Sequence, residues 1–593
     1  MDKRKILLIS TPLICIALAL FAFGLSAGNR YISKLKKEKA QQNADAYNGE
    51  AADGASYSYN GEAVDGDSYS NAGRTEDEDA TSGWENSELN IIDDKYRNYY
   101  EIFVYSFRDS DGDGIGDLNG VNEELGYIKE LGCNGIWLMP VMSSGTYHKY
   151  DVTDYMSIDP EYGTMEDFER LIDDAHKNDI NVIIDFVMNH TSSKHEWFIK
   201  ACEYLAEHAS DGRSLNEMAL ECPYVGYYHF SKEKLSDTYY QVPGTDFYYE
   251  GEFWSKMPDL NFASEELWQE FKSIISFWID KGVDGFRMDA AMHFEEGDTG
   301  FNTEVLARVY EYATAIDPDF YMVSEVWAGE KTIASYYSSQ TDSMFNFDAA
   351  GPEGILLGAV RGNVKASRLV SAMQGYEDDF KSANPEYIDA PFLTNHDMGR
   401  VANALNGDEN AIKFAGGLLG SQSGSIFIYY GEEIGMKSSG TKDENKRLAM
   451  PWGTDKGVCK GPLDADPGIE SDFGPVSEQV SDPDSIYNYY RHVLNIRNRY
   501  PEIARGSITV LAEMTDGNKA VMIKSYNSER ISIIYNNSKT ESVSVTSADI
   551  AGIGKALDVT ECSMVDYLTV NDEKIVFNAD GFQMPARSIV YIK

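Results

Sequence analysis

Cysteine is scarce: six in 593 residues, one of which, Cys15, lies inside an apolar N-terminal run. The other five, Cys133, Cys202, Cys222, Cys459 and Cys562, are odd in number, which argues against a dense disulfide framework. Cys202 and Cys222 lie near enough in sequence to pair locally, with buried free thiols as the alternative reading. Basic residues are few as well. Against 97 Asp and Glu stand 51 Lys and Arg, a formal charge of −46. That balance repels nucleic acid and anionic membrane surfaces and suits a neutral partner. Hydrophobic residues make up 42% of the chain, so wholesale disorder is excluded. Aromatic side chains, 12% of the total with 39 Tyr, are mostly what a large core needs, and sugar rings stack well on any that stay exposed.

Long apolar runs are absent apart from Ile6 to Ala27, which follows Lys3, Arg4 and Lys5 and ends at the small residues Ser26, Ala27 and Gly28. Residues 1–28 read as a secretory signal peptide or an uncleaved anchor. As a helix the run would span about 33 Å, enough for a bilayer, so both readings stay open. Either way the bulk is expected outside the cell, secreted or tethered to the outer face of the membrane through residues 6–27. Residues 29–92 are polar and acidic and carry a twelve-residue repeat, YNGEAADGASYS (Tyr47 to Ser58) then YNGEAVDGDSYS (Tyr59 to Ser70). That composition predicts a disordered spacer.

From Tyr99 onward short apolar runs alternate with amphipathic segments, the pattern of βα units. Strands are expected at Glu101–Phe107, Gly135–Pro140, Asn181–His190, Phe286–Asp289, Tyr321–Glu325, Met344–Phe347, Phe392–Asn395 and Ile426–Tyr430, with helices at Leu118–Leu131 and Met165–Asn178. Eight strands make a complete (β/α)8 TIM barrel over residues 93–505. About 70 residues after His190 are too long for an ordinary loop, and residues 190–258 are read as an inserted subdomain after strand three. A helix near Ile486–Arg499 leads to residues 506–593, whose β-branched alternation predicts a C-terminal antiparallel β-sandwich.

Three segments then stand out: GVDGFRMDAAMH (Gly282 to His293), YMVSEVW (Tyr321 to Trp327) and FLTNHDMGR (Phe392 to Arg400). Each places a carboxylate after an apolar run, and the C-terminal ends of barrel strands share one mouth. Asp289, Glu325 and Asp397 therefore converge. Paired carboxylates suggest glycoside hydrolysis, a nucleophile beside an acid/base. Arg287, two residues before Asp289, points the same way along a strand and favours an ionised nucleophile. Apolar neighbours favour a protonated Glu325. Asp397, beside His396, is placed to bind sugar hydroxyls more tightly as charge develops. Any one of these carboxylates alone would equally suit a helix cap. The loop DSDGDGIGD (Asp109 to Asp117) packs four carboxylates into nine residues, and its oxygen spacing suits calcium better than a merely solvated acidic turn.

With DFVMNH (Asp185 to His190), GFRMDAAMH, SEVW, TNHD and MPDLNF (Met257 to Phe262) in that order, the chain from about Tyr99 resembles the α-amylase family of glycoside hydrolases, near the branch between oligo-1,6-glucosidases and neopullulanases. YHKYDVTDY (Tyr147 to Tyr155) and IYYGEEIGM (Ile428 to Met436) match further. The resemblance implies Asp289 as nucleophile, Glu325 as acid/base and Asp397 as transition-state stabiliser. It implies sugar contacts from Tyr150, His190, Arg287 and His396, and a structural role for Asp185. Asp109, Asp111, Asp113, Asp117 and the carbonyl of Ile115 would hold Ca2+. A second calcium, with Asn189 and the carbonyl of His293 as candidates, lacks identifiable further ligands. The implied substrate is an α-glucan, starch or maltooligosaccharides, and a monomer is expected. DAAMH resembles endo-acting α-1,4 amylases, MPDLN leans away from a pure exo-glucosidase, and Met292 stands where many amylases carry a lysine that holds sugars beyond the cleavage point.

Two other readings follow from the same resemblance. One is an α-glucosidase or transglycosylating relative, since a sugar can intercept the same intermediate. The other is a non-catalytic, membrane-anchored partner subunit like the heavy chains of amino-acid transporters. An intact Asp289, Glu325, Asp397 trio with Arg287 and both histidines weighs against it.

Overall fold

The computed structural model describes residues 88–593 except 455 and 579. The apolar N-terminal segment and the repeat lie outside the described residues. Among those described, no helix is long and apolar enough to cross a membrane.

Seven short strands form one sheet in the order Ser343–Met344, Tyr321–Ser324, Gly285–Met288, Asn181–Phe186, Gly135–Leu138, Asn98–Ile102, Ile426–Tyr429. All adjacent pairs are parallel. Apart from Asn181 every residue in them is buried, which is why they read as continuous apolar runs rather than alternating ones. Parallel bridges Phe345↔Ala390 and Phe392↔Phe427 join the two edges, closing a (β/α)8 barrel. The seventh expected strand, Phe392–Asn395, is therefore reduced to isolated bridges. Pro391 beside it has no N–H to give the ladder, although its carbonyl accepts from Phe427 N at 3.1 Å.

Several boundaries differ from the sequence expectation. The first strand is Asn98–Ile102, and Val104–Phe107 turns instead into a buried helical turn. A short apolar run does not by itself distinguish strand from buried helix. The first barrel helix breaks into Leu118–Glu123 and Leu125–Leu131, the former capped by Asp117 accepting from Gly120 N. The second, Met165–Lys177, starts on a capping box made by Thr164 and Asp167. Strands three to five stop at Phe186, Met288 and Ser324. Asp289 and Glu325 thus become the first residues beyond their strands. A hairpin of Met142–Ser144 and Val152–Ile158, not expected, carries Tyr150 in its turn.

Between the third and fourth strands, residues 190–258 contain the helices Glu196–Glu207 and Leu215–Glu221 and a small sheet of Phe230–Ser231, Tyr248–Glu250 and Tyr239–Gln241. Beyond the helix Ile486–Arg499, five antiparallel strands run in the order Ser507–Val510, Lys519–Tyr526, Glu529–Asn536, Ser588–Ile592, Met564–Thr569. A pair, Val543–Thr546 with Gly581–Met584, and the helix Ser547–Leu557 cover one face. Val521, Ile523, Ile534, Val545, Ile553, Phe582 and Val590 form the separate core between them. Cys202 and Cys222 are both free.

Candidate active site

Arg287 is the centre of the barrel mouth. Its side chain is 1% exposed, and it lies over the ring of Trp137 at 5.1 Å. One guanidinium nitrogen, Nη1, donates to Asp185 Oδ1 at 2.9 Å and to Asp289 Oδ1 at 2.5 Å. The other, Nη2, is 3.0 Å from Glu325 Oε2. Asp289 and Glu325 are thus held by the two nitrogens of one planar fork, as charge-assisted pairs allow. Glu325 Oε2 also accepts from Ala290 N at 3.0 Å. Ala290 has a φ of +47°, a left-handed conformation that L-residues with a side chain rarely adopt, and it turns the chain directly after Asp289.

A second group surrounds Asp397. Its Oδ1 accepts from Arg447 Nη2 at 2.7 Å, and its Oδ2 lies 3.1 Å from His396 Nε2. His396 donates through Nδ1 to Glu101 Oε1 at 2.6 Å, while Nε2 is 2.7 Å from the hydroxyl of Tyr150. That hydroxyl donates in turn to Asp185 Oδ2 at 3.0 Å, joining the two groups. Asp397 is the most open of the three carboxylates: its side chain is 32% exposed, against 10% for Asp289 and 12% for Glu325.

Protonation follows from the charge balance. Three cations, Arg287, His396 and Arg447, directly contact five carboxylates, Glu101, Asp185, Asp289, Glu325 and Asp397. Two uncompensated negative charges out of water are costly, so protons are retained. Burial pushes Glu325 up, with Asp289 and Asp397 adding to it and Arg287 opposing. Burial raises Asp289 too, opposed by Arg287, and carries Asp185 to about 7. Asp397 goes the other way. Burial resists its charge, but His396, Arg447 and Arg287 hold it well below the usual carboxylate range. For His396, burial disfavours the cation, yet Asp397 and Glu101 carry its pKa up to about 9.

His190 belongs to neither group of ion pairs and meets them through the backbone of Tyr150, which hydrogen-bonds its ring. Burial lowers it to about 4, so the ring is neutral, and its Nε2 is buried with no hydrogen-bond partner among the described residues. Phe253, half exposed, sits 5.4 Å from its ring. A cleft of about 480 Å³ is lined by Trp327, two residues after Glu325, by Met398, the residue after Asp397, and by Phe347 and Gly351 among others, with Trp327 stacked on Phe347 at 4.8 Å.

The predicted metal loop is elsewhere, after the first strand. Asp109, Asp111 and Asp117 offer oxygens that all lie within 4.8 Å of one another, a hard-oxygen set that fits calcium. Asp113 is not in that group: its Oδ1 accepts from Ile115 N at 2.7 Å. Gly114, at a φ of +101°, lets the loop pass under Lys460, whose side chain a Cβ there would strike. Asn189, suggested for a second calcium, donates to Asp259 Oδ1 at 3.2 Å, and its own Oδ1 has no partner among the described residues.

The predicted sugar-site residues Tyr150, Arg287 and His396 thus fall into one side-chain network, which His190 meets only at the Tyr150 backbone. Glu101 and Arg447 belong to it and were not anticipated. An acid inside a buried apolar strand was a readable signal for Glu101. Arg447 comes from an irregular stretch fifty residues after its partner, where periodicity is silent.

Residues 101–506 match the family model described as the alpha amylase catalytic domain. The chain belongs to the α-amylase family of glycoside hydrolases. Alpha-amylase 3 of Dictyoglomus thermophilum is 39% identical over 453 residues, covering 75% of this chain and 86% of the relative. The structure of Amy13B of Eubacterium rectale superposes with a TM-score of 0.81 at 42% identity, covering 86% of this chain and 97% of that one. Glucan 1,6-alpha-glucosidase of Streptococcus pneumoniae is 30% identical over 70% of this chain and 85% of its own length. Family membership is thus secure across named activities that differ.

Proposed function

We propose that this family member is an α-amylase that cleaves α-1,4-glucosidic bonds in starch and maltooligosaccharides with retention, through a covalent glycosyl-enzyme intermediate. The observation that carries the reading is the shared guanidinium: Arg287 holds Asp289 and Glu325 at 2.5 and 3.0 Å, a close pair of the kind double displacement needs. Asp289, paired with Arg287, attacks the anomeric carbon. Glu325, kept protonated by burial, gives its proton to the departing glycosidic oxygen. It then takes a proton from the water that releases the sugar from Asp289. Asp397, fixed as an anion by His396 and Arg447, accepts from sugar hydroxyls whose bonds strengthen as oxocarbenium character develops. Tyr150 and His396 flank the same ring, and the free Nε2 of His190 supplies a further polar contact.

A polymer reading is favoured by the cleft that Trp327 and Met398 line and by the α-amylase named among the relatives. The relative named as a 1,6-glucosidase supports α-glucosidase or transfer activity as the second reading. Calcium, held by Asp109, Asp111 and Asp117, would neutralise and stiffen the loop after the first strand without entering the chemistry. The basic residues and apolar run at the N-terminus support export, free or tethered.

The test is incubation of the protein with soluble starch, maltoheptaose and an aryl α-glucoside, with Asp289→Asn as control. Rapid loss of polymer length with mixed maltooligosaccharides, abolished in the variant, is expected. Glucose released mainly from short substrates would move the assignment to α-glucosidase, and no turnover would overturn it.

A further inference from the structure

We propose that four buried side chains, Ser106, Arg400, Tyr429 and Tyr430, are positioning residues that fix Arg447 and, through it, Asp397. Arg447 follows a short turn, Asp443–Lys446, and among the described residues no regular element comes after it until Val476. A long side chain on such a stretch would ordinarily be free to move. Here each of three consecutive carbonyls is taken by a barrel side chain. Lys446 O accepts from Arg400 Nε at 3.1 Å and from the Tyr429 hydroxyl at 3.2 Å. Arg447 O accepts from the Ser106 hydroxyl at 2.7 Å, and Leu448 O from the Tyr430 hydroxyl at 2.5 Å.

The donors come from three separate places: the turn after the first strand, the residue three beyond Asp397, and the end of the last strand. All four are 2% exposed or less. They also brace one another. The Arg400 guanidinium lies over the rings of Tyr429 and Tyr430 at 4.2 and 4.7 Å and donates to the Tyr430 carbonyl at 2.6 Å. The pinned segment in turn grips its target at several points. Arg447 Nη2 meets Asp397 Oδ1 at 2.7 Å, Arg447 Nε donates to the His396 carbonyl at 3.3 Å, and Lys446 Nζ donates to the Asp397 carbonyl at 2.9 Å.

Buried carbonyls always need donors, and backbone N–H groups are their usual source. Side-chain donors from three elements on three successive residues define where the segment sits, not merely that it is satisfied. Removing the Ser106 hydroxyl leaves the buried Arg447 carbonyl without that donor, and removing the Tyr430 hydroxyl does the same to the part-buried Leu448 carbonyl. The segment then relaxes toward another donor, and Arg447 shifts with it. A small displacement of a group that acts in the transition state lowers rate more than substrate affinity.

This role presupposes that Asp397 stabilises the transition state, so Asp397→Asn is measured alongside. In the full chain, kcat and KM on maltoheptaose, the pH profile and Tm are determined for Tyr430→Phe, Ser106→Ala, Arg447→Ala and the two doubles with Arg447→Ala. Tyr430→Phe and Ser106→Ala are each expected to lower kcat about tenfold, the size of one unmade buried hydrogen bond, with KM changing less than about twofold. The acid limb of kcat moves to higher pH, because Asp397 with a misplaced Arg447 takes a proton more readily. In the doubles no further loss is expected, since the hydroxyls act only through Arg447. Ser106→Ala, the smaller change, serves if Tyr430→Phe fails to fold. Additive losses, or a rise in KM alone, would overturn the positioning role. A large loss in Asp397→Asn with none in the two hydroxyl variants would overturn it as well, while full kcat in Asp397→Asn would instead remove the catalytic reading beneath it.

Discussion

Around Arg287 one guanidinium serves three carboxylates, Asp185, Asp289 and Glu325. Around Asp397 the charges balance: Arg447 and His396 face two carboxylates, Asp397 itself and Glu101. Both groups sit in the same barrel mouth, with Tyr150 touching each, so burial alone does not explain the difference. Too little positive charge leaves protons bound and able to move, which suits an acid/base. A full complement, two cations for two carboxylates, fixes Asp397 as an anion, which suits a group that must stay charged through the reaction. One mouth thereby provides both a proton store and a permanent charge.

The largest break in this comparison is Glu325→Gln, which removes the movable proton and keeps the shape. A loss of about 10²- to 10⁴-fold in kcat on maltoheptaose is expected. The loss should shrink sharply on an α-glucosyl substrate whose leaving group needs no protonation. Equal losses on both substrates would show that Glu325 is not the acid.

The fixed-charge side is probed through pH. The folded pKa of His396 is raised from 6.5 to about 9 by its carboxylate partners, against the effect of burial. Its contribution is therefore fully present below about pH 6.5 and is lost as pH rises through about 9, a span worth on the order of 3 kcal/mol. Tm should fall more steeply between pH 6.5 and 9 in the parent protein than in His396→Asn. Parallel curves would mean that the imidazole is not charged in the fold.

A third acidic group sharpens the contrast, because among the described residues no guanidinium pairs with Asp109, Asp111 or Asp117. We propose calcium as its compensation. With free Ca2+ near a hundred times its Kd, binding to the folded chain adds about 2.7 kcal/mol. Chelation should lower Tm accordingly, and Asp109→Asn should remove the response. Tm unaffected by chelator would leave the loop without its cation.

Much of this was legible from the sequence, for identifiable reasons. Buried parallel strands announce themselves as apolar runs, and carboxylates that end such runs have one place to go; hence Asp289 and Glu325. The seventh strand failed because Pro391 interrupts its ladder, a local fact outweighed in the reading by the apolar pattern around it. Val104–Phe107 looked like more strand because helix and strand both bury such residues. Arg447 was hidden for another reason. Its position depends on Ser106, Arg400, Tyr429 and Tyr430, which come together only in three dimensions.

The smallest effect concerns Ala290, whose left-handed backbone aims its N–H at Glu325. Neighbouring bonds hold the turn: Ala291 N donates to the Glu325 carbonyl at 3.2 Å and His293 N to the Ala290 carbonyl at 2.9 Å. Ala290→Gly removes the steric penalty of the positive φ but gives the unfolded chain more freedom, two terms of about 1 kcal/mol that oppose each other. Stability should change by less than about 1 kcal/mol and kcat by less than about twofold, because the same bonds still dictate the backbone path. Ala290→Val, whose β-branched side chain resists a positive φ, should lose more on both counts. A glycine variant as impaired as the valine one would mean that the alanine side chain, rather than the turn it occupies, holds Glu325 in place.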